Sequence, residues 1–98
     1  MKDLRNEHTD TLMRAILQLK NIDECYDFFV DLCTISEIRS MSQRMEVALM
    51  LAEKKIYSDI AAQTGASTAT ISRVNKCLNY GNDGYNLVIG RLKEQNNE

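Results

Sequence analysis

The stretch "TGASTATISRVNKCL" (residues 64–78) decides how the rest of the chain is read. Gly65 can take the left-handed conformation that a sharp helix exit needs. Two residues later Ser67 offers a hydroxyl to the free amides of a new helix. Ile71, Val74 and Leu78 then recur at spacings of three and four, which turns one face of that helix inward. Ahead of Gly65, "YSDIAAQTG" reads as a short helix capped by Ser58. The pattern is helix, tight turn, helix over about residues 57–78. Such a motif needs a small residue at the crossing, glycine in the turn and apolar residues that lock the pair, and Ala61, Gly65, Ile60, Ile71 and Val74 stand in those places.

The second helix, about 67–78, begins with unusually short side chains. A helix tip carrying Ser67, Thr68, Ala69, Thr70 and Ser72 lets its backbone come close to another surface, with hydroxyls for base edges or phosphate oxygens and methyls for thymine. Arg73 and Lys76 follow as cations for a phosphate backbone, and the helix amides add their own attraction for phosphate. Serine and threonine at a helix start are also ordinary caps, and glycine-turned hairpins occur in proteins that never meet DNA. Charge distribution tips the balance. The whole chain has a formal net charge of −2, yet residues 54–80 hold Lys54, Lys55, Arg73 and Lys76 against Asp59 alone, a local +3. Residues 1–33 hold four basic against seven acidic side chains, net −3. A phosphate backbone responds to the local patch, not to the total.

Working outward, "TISE" (residues 34–37) is a capping box that starts a long helix of roughly 18 residues. It runs through Ile38, Met41, Met45, Ala48, Leu49 and Ala52, with Val47 and Leu51 alongside, to the cations of "EKK". Two helices precede it. The first carries Leu12, Met13, Ile16, Leu17 and Leu19 and stops near Lys20 and Asn21. The second is expected to be capped by Asp23 and to bury Cys25, Tyr26, Phe29, Leu32 and Cys33. Phe28 and Val30 widen that face beyond what one small domain covers, which hints at a partner subunit. After the break at "YGNDGY", Tyr85, Val88, Ile89 and Leu92 give a last amphipathic helix.

Composition sets the outer limits. Ninety-eight residues with 44% hydrophobic, 27% charged and no proline fit one helical domain, 1–98, with a core small enough to favour a dimer. No uncharged segment approaches the roughly 20 residues of a membrane span, and the N-terminus lacks a signal-peptide core, so a cytoplasmic protein with no membrane partner is expected. Cys25, Cys33 and Cys77 are odd in number and sit among apolar neighbours, which reads as small core residues in a reducing compartment rather than a metal site. Met41, Met45 and Met50 read as core and His8 as solvated. No carboxylate pair, nucleophile–base set or phosphate loop stands out, which argues against an enzyme.

"GASTATISRVNKCLNYG", with "TISE" and "SQRMEVALMLAEKK" upstream, resembles the Trp repressor superfamily, and within it the YerC/YecD-like branch, over about residues 10–95. The resemblance implies an all-α, six-helix, intertwined homodimer with a helix-turn-helix that binds a double-stranded DNA operator. It also implies a candidate effector pocket. In the family, tryptophan is held by a threonine at the capping box, an arginine ten residues later on the long helix, and an arginine of the recognition helix. Thr34, Arg44 and Arg73 match these places if one residue is deleted ahead of the helix-turn-helix. Two partners depart. Val74 replaces a glycine and intrudes on the space for an indole, and Cys77 replaces a serine and is a poorer partner for an amino group. L-Tryptophan is therefore not expected as corepressor; another small molecule, or none, uses the pocket. Ser58 stands where an arginine of the family reads a guanine, so a different operator is expected. The expected function is a sequence-specific transcriptional regulator of repressor type; the rival is a helical dimerisation and protein-interaction module that binds no DNA.

Overall fold

A computed structural model describes residues 3–96, and within them the chain forms six α-helices and no strand. They are α1 (Glu7–Ile16), α2 (Ile22–Leu32), α3 (Ile35–Ala52), α4 (Tyr57–Thr64), α5 (Thr68–Tyr80) and α6 (Gly84–Asn96). Contacts cluster into two compact units, Met1–Ile35 and Ser36–Glu98, so the boundary falls at the first residue of α3.

The first unit holds α1 and α2. Each starts on an asparagine in extended conformation whose side-chain oxygen accepts from the amide three residues on, Asn6 from Thr9 at 2.9 Å and Asn21 from Glu24 at 2.8 Å. Asn21, not Asp23, is thus the cap of α2, because Glu24 also reaches back to accept from the Lys20 amide at 3.0 Å. Asp23 lies inside the first turn, where its charge suits the positive end of the helix. The first helix ends at Ile16, one turn before the expected stop, and leaves Leu19 outside it. No residue of α1 or α2 is buried. Tyr26 is 66% exposed and Leu32 50%, against the expectation that α2 buries them within the chain; Cys25, Phe29 and Cys33 are half-buried.

The second unit carries the core. Val47, Ala48 and Met50 of α3 meet Ile60 of α4, Ala66 of the turn, Ile71 and Val74 of α5 and Ile89 of α6, with Leu49, Leu78 and Tyr85 packed around them. Ile60, Ile71 and Val47 are fully buried, and each such side chain contributes on the order of 1.5–3 kcal/mol of transfer free energy. Val47 thus lies at the centre rather than beside the stripe, whereas Met41 of the polar half of α3 is exposed. Val88 and Leu92 of α6 are exposed as well; that helix buries Ile89 alone. Helix α3 has the expected 18 residues. It ends in a Schellman motif: Lys54, in the left-handed region at φ 65°, donates its amide to Leu51 O at 3.0 Å, and Lys55 donates to Met50 O at 3.1 Å.

Candidate nucleic-acid interface

Helices α4 and α5 pack on one another across a three-residue turn, Gly65-Ala66-Ser67. Each residue there has a separate task. Gly65 takes φ 73° and ψ 6° and closes α4 with its amide on Ala61 O. Ala66 is buried in the angle between the helices. Ser67 is extended, and its Oγ accepts from the Thr70 amide at 3.1 Å, capping α5 as the sequence indicates. The turn is braced from outside by groups the sequence reading missed. Thr64 Oγ1 donates to Ile60 O at 2.7 Å and accepts from the Ala66 amide at 3.1 Å, while Gln43 Nε2 of α3 donates to Thr64 O at 3.1 Å. No local pattern signals the Gln43 bond, because its partners stand 21 residues apart.

With Ile71, Val74 and Leu78 facing the core, α5 turns its other sides outward. Ser67, Thr68, Ala69, Ser72, Arg73 and Lys76 are all exposed. Thr70 differs: it is half-buried, and its hydroxyl engages Ser67 Oγ at 3.1 Å. Ser58 is exposed in the first turn of α4 but does not cap it, since Ile56 occupies the cap position and supplies no side-chain bond. Among the described residues the ion pair is Arg5 with Asp10, so Lys54, Lys55, Arg73 and Lys76 stand outside any ion pair.

A cavity of about 360 Å³ lies beside α5, lined by Ser40, Gln43 and Arg44 of α3, Thr70, Arg73, Val74 and Cys77 of α5, and Tyr85 of α6. Arg44 and Arg73 thus line one space. Thr34 belongs to the other unit. Val74 is at once a core residue, 1% exposed, and part of the cavity wall, so its methyls cannot swing away to admit a ring. Cys77 is exposed at the wall and not in the core as expected, because it lies on the flank of α5 that faces this opening.

Six helices that include a glycine-turned pair have counterparts among known proteins. A family model described as Trp repressor protein matches residues 7–93. The chain belongs to the Trp repressor family. Within that family of DNA-binding regulators it is YerC-like: it is 57% identical to the uncharacterized protein YerC of Bacillus subtilis (strain 168) over 95 residues, 97% of this chain and 91% of the relative. The crystal structure of a TrpR-like protein from Eubacterium eligens superposes with a TM-score of 0.92 at 60% identity, covering 95% of this chain and 96% of that one. A further crystal structure, from Staphylococcus aureus, gives a TM-score of 0.91 at 49% identity over 94% of this chain and 92% of the other. The all-α Trp-repressor-like fold is therefore established. No described helix is long and apolar enough to cross a membrane.

Proposed function

We propose that this Trp repressor family member is a cytoplasmic transcriptional repressor that binds double-stranded operator DNA as an intertwined homodimer, each copy a single domain over residues 1–98. The observation that carries this reading is the tip of α5. Its short side chains other than Thr70 are exposed, and the tip is fixed by the Ser67 cap and the Gly65 turn, with Arg73 and Lys76 unpaired behind it. In this reading Thr68, Ala69 and Ser72 approach base edges, Ser67 and Ser58 lie against the sugar–phosphate strand, and Thr70 stiffens the tip. Dimeric helix-turn-helix proteins place their recognition helices in successive major grooves about 34 Å apart, so the operator is an approximate inverted repeat.

Selection of genomic fragments by the purified protein, followed by footprinting, tests this directly. Affinity is expected to fall steeply between about 50 and 200 mM salt, because phosphate contacts release counterions. The paired reversal Arg73→Glu and Lys76→Glu separates this reading from a protein-interaction module: retention of the dimer with loss of DNA supports the repressor, whereas unchanged DNA retention defeats it. The pairing of Arg44 and Arg73 at one cavity favours a second role for the same region. A small anionic effector held there takes up the guanidinium of Arg73 and so couples ligand binding to the DNA face.

A further inference from the structure

Tyr80 ends α5 with 85% of its surface open, the most exposed of the described large apolar side chains, and its hydroxyl has no hydrogen-bond partner among the described residues. Its backbone is nevertheless held. The Gly81 amide donates to Cys77 O at 2.9 Å, and Asn86 Nδ2 donates to Leu78 O at 3.0 Å, which fixes the last turn of the helix on either side of it. A tyrosine on a rigid element with nothing to pack on is placed for an external contact. Its direction follows from the helical period of about 100° per residue. With Ile71, Val74 and Leu78 buried or packed inward, Ala69, Arg73, Lys76 and Tyr80 fall in one row on the opposite side. Along the axis Tyr80 lies about 16 Å beyond Ala69 at the usual rise per residue, whereas the major groove is about 12 Å wide. In a docking that lays this outer row against the duplex, Ala69 at base edges leaves Tyr80 on the DNA-facing side of the helix and further out, towards the flanking sugar–phosphate strand.

We infer that Tyr80 is a further DNA contact, its phenolic hydroxyl donating to a phosphate oxygen of the flanking strand while Lys76, one turn earlier, sets its charge against a neighbouring phosphate. This assignment rests on the DNA-binding reading above. A phenol combines an apolar ring for the sugar with a neutral O–H donor. Because it carries no charge, it holds the phosphate without adding to counterion release, unlike Arg73 and Lys76.

That difference gives the test. The probe is the duplex fragment recovered by the wild-type protein, titrated against Tyr80→Phe, Arg73→Ala and Lys76→Ala from about 50 to 200 mM salt. Tyr80→Phe is expected to weaken binding roughly tenfold at every salt concentration with the slope unchanged, whereas Lys76→Ala lowers the slope by about one. If Tyr80→Phe binds as tightly as wild type while Lys76→Ala flattens the slope, the Tyr80 contact is wrong and the DNA reading stands. If neither cation substitution alters the slope, the reading beneath it falls. A Tyr80→Phe protein with lower melting temperature or altered subunit mass also overturns the assignment, because the hydroxyl then serves the fold or the subunit interface.

Discussion

Replacing Gly65 with alanine isolates the backbone term on which the turn between α4 and α5 depends. Gly65 sits at φ 73°, and a Cβ built there has Gln43 Nε2 as its nearest neighbour, at 4.0 Å. Space is therefore not at issue. An L-residue in this region loses about 1–2 kcal/mol, of which about 0.4–1 kcal/mol is offset because alanine stiffens the unfolded chain. The net loss is about 1 kcal/mol, or about 4–8 °C in melting temperature for a domain of this size. Lys54 provides the reverse experiment, since it is a non-glycine residue already at φ 65°. Lys54→Gly is expected to raise stability by about the same amount, because the same two terms change sign. Both proteins should be melted by circular dichroism at one fixed protomer concentration, since an oligomer's midpoint moves with concentration. Gly65→Asn should fall between wild type and Gly65→Ala, as asparagine tolerates the left-handed region better. Midpoints that shift in the same direction for Gly65→Ala and Lys54→Gly, or that do not move, refute the argument.

Gly81 makes a different demand, because a Cβ there would collide with the carbonyl oxygen of Cys77; Gly81→Ala should destabilise by about 1–3 kcal/mol in denaturant melts and fray the end of α5 in hydrogen exchange. Ser67→Ala removes the cap of α5 and should lower stability by about 1 kcal/mol, with amide exchange rising first at Thr70, whose N–H loses its acceptor. Calorimetric titration of the wild-type protein with L-tryptophan should show no binding, because Val74 stands in the cavity wall; micromolar affinity would contradict that account. A charge on the exposed face of α2, as in Val30→Asp, should shift the mass measured by ultracentrifugation from dimer towards monomer, and an unshifted dimer would place the subunit contact elsewhere.

Much of the unit that carries the helix-turn-helix was readable from short-range chemistry. A glycine where a left-handed residue is needed, a serine where free amides need an acceptor, and Ile71, Val74 and Leu78 at helical spacing all act within one or two turns, and each has the structural place expected of it. Local alternatives of similar chemistry were harder. Asn21 and Asp23 are both good caps, and only the reach of Glu24 to the Lys20 amide selects the first. Ser58 resembles a cap, yet the Schellman exit at Lys54 and Lys55 delivers the chain so that Ile56 takes that position. What no local pattern carries is the long-range brace from Gln43 to Thr64, or the meeting of Arg44 with Arg73 at one cavity.

The apolar faces of α1 and α2 carry the remaining difficulty. Helical periodicity states which side of a helix is disfavoured by water; it does not state what covers that side. Met13, Leu17, Ile22, Tyr26, Val30 and Leu32 are each at least half exposed, and the unit that contains them has no buried residue among those described. Such a unit has no core of its own to offset the entropy of ordering its helices. In the proposed homodimer the second copy supplies that core. The two requirements of a repressor are then met by different parts of the chain: the shape of the reading helix by Ile60, Ile71 and Val74 within one copy, and the distance between two reading helices by the faces of α1 and α2 between copies. Loss of the second without the first should leave a folded helix-turn-helix that still feels phosphate charge but cannot span two half-sites, which is why subunit mass and operator specificity should fall together while weak, salt-sensitive binding persists.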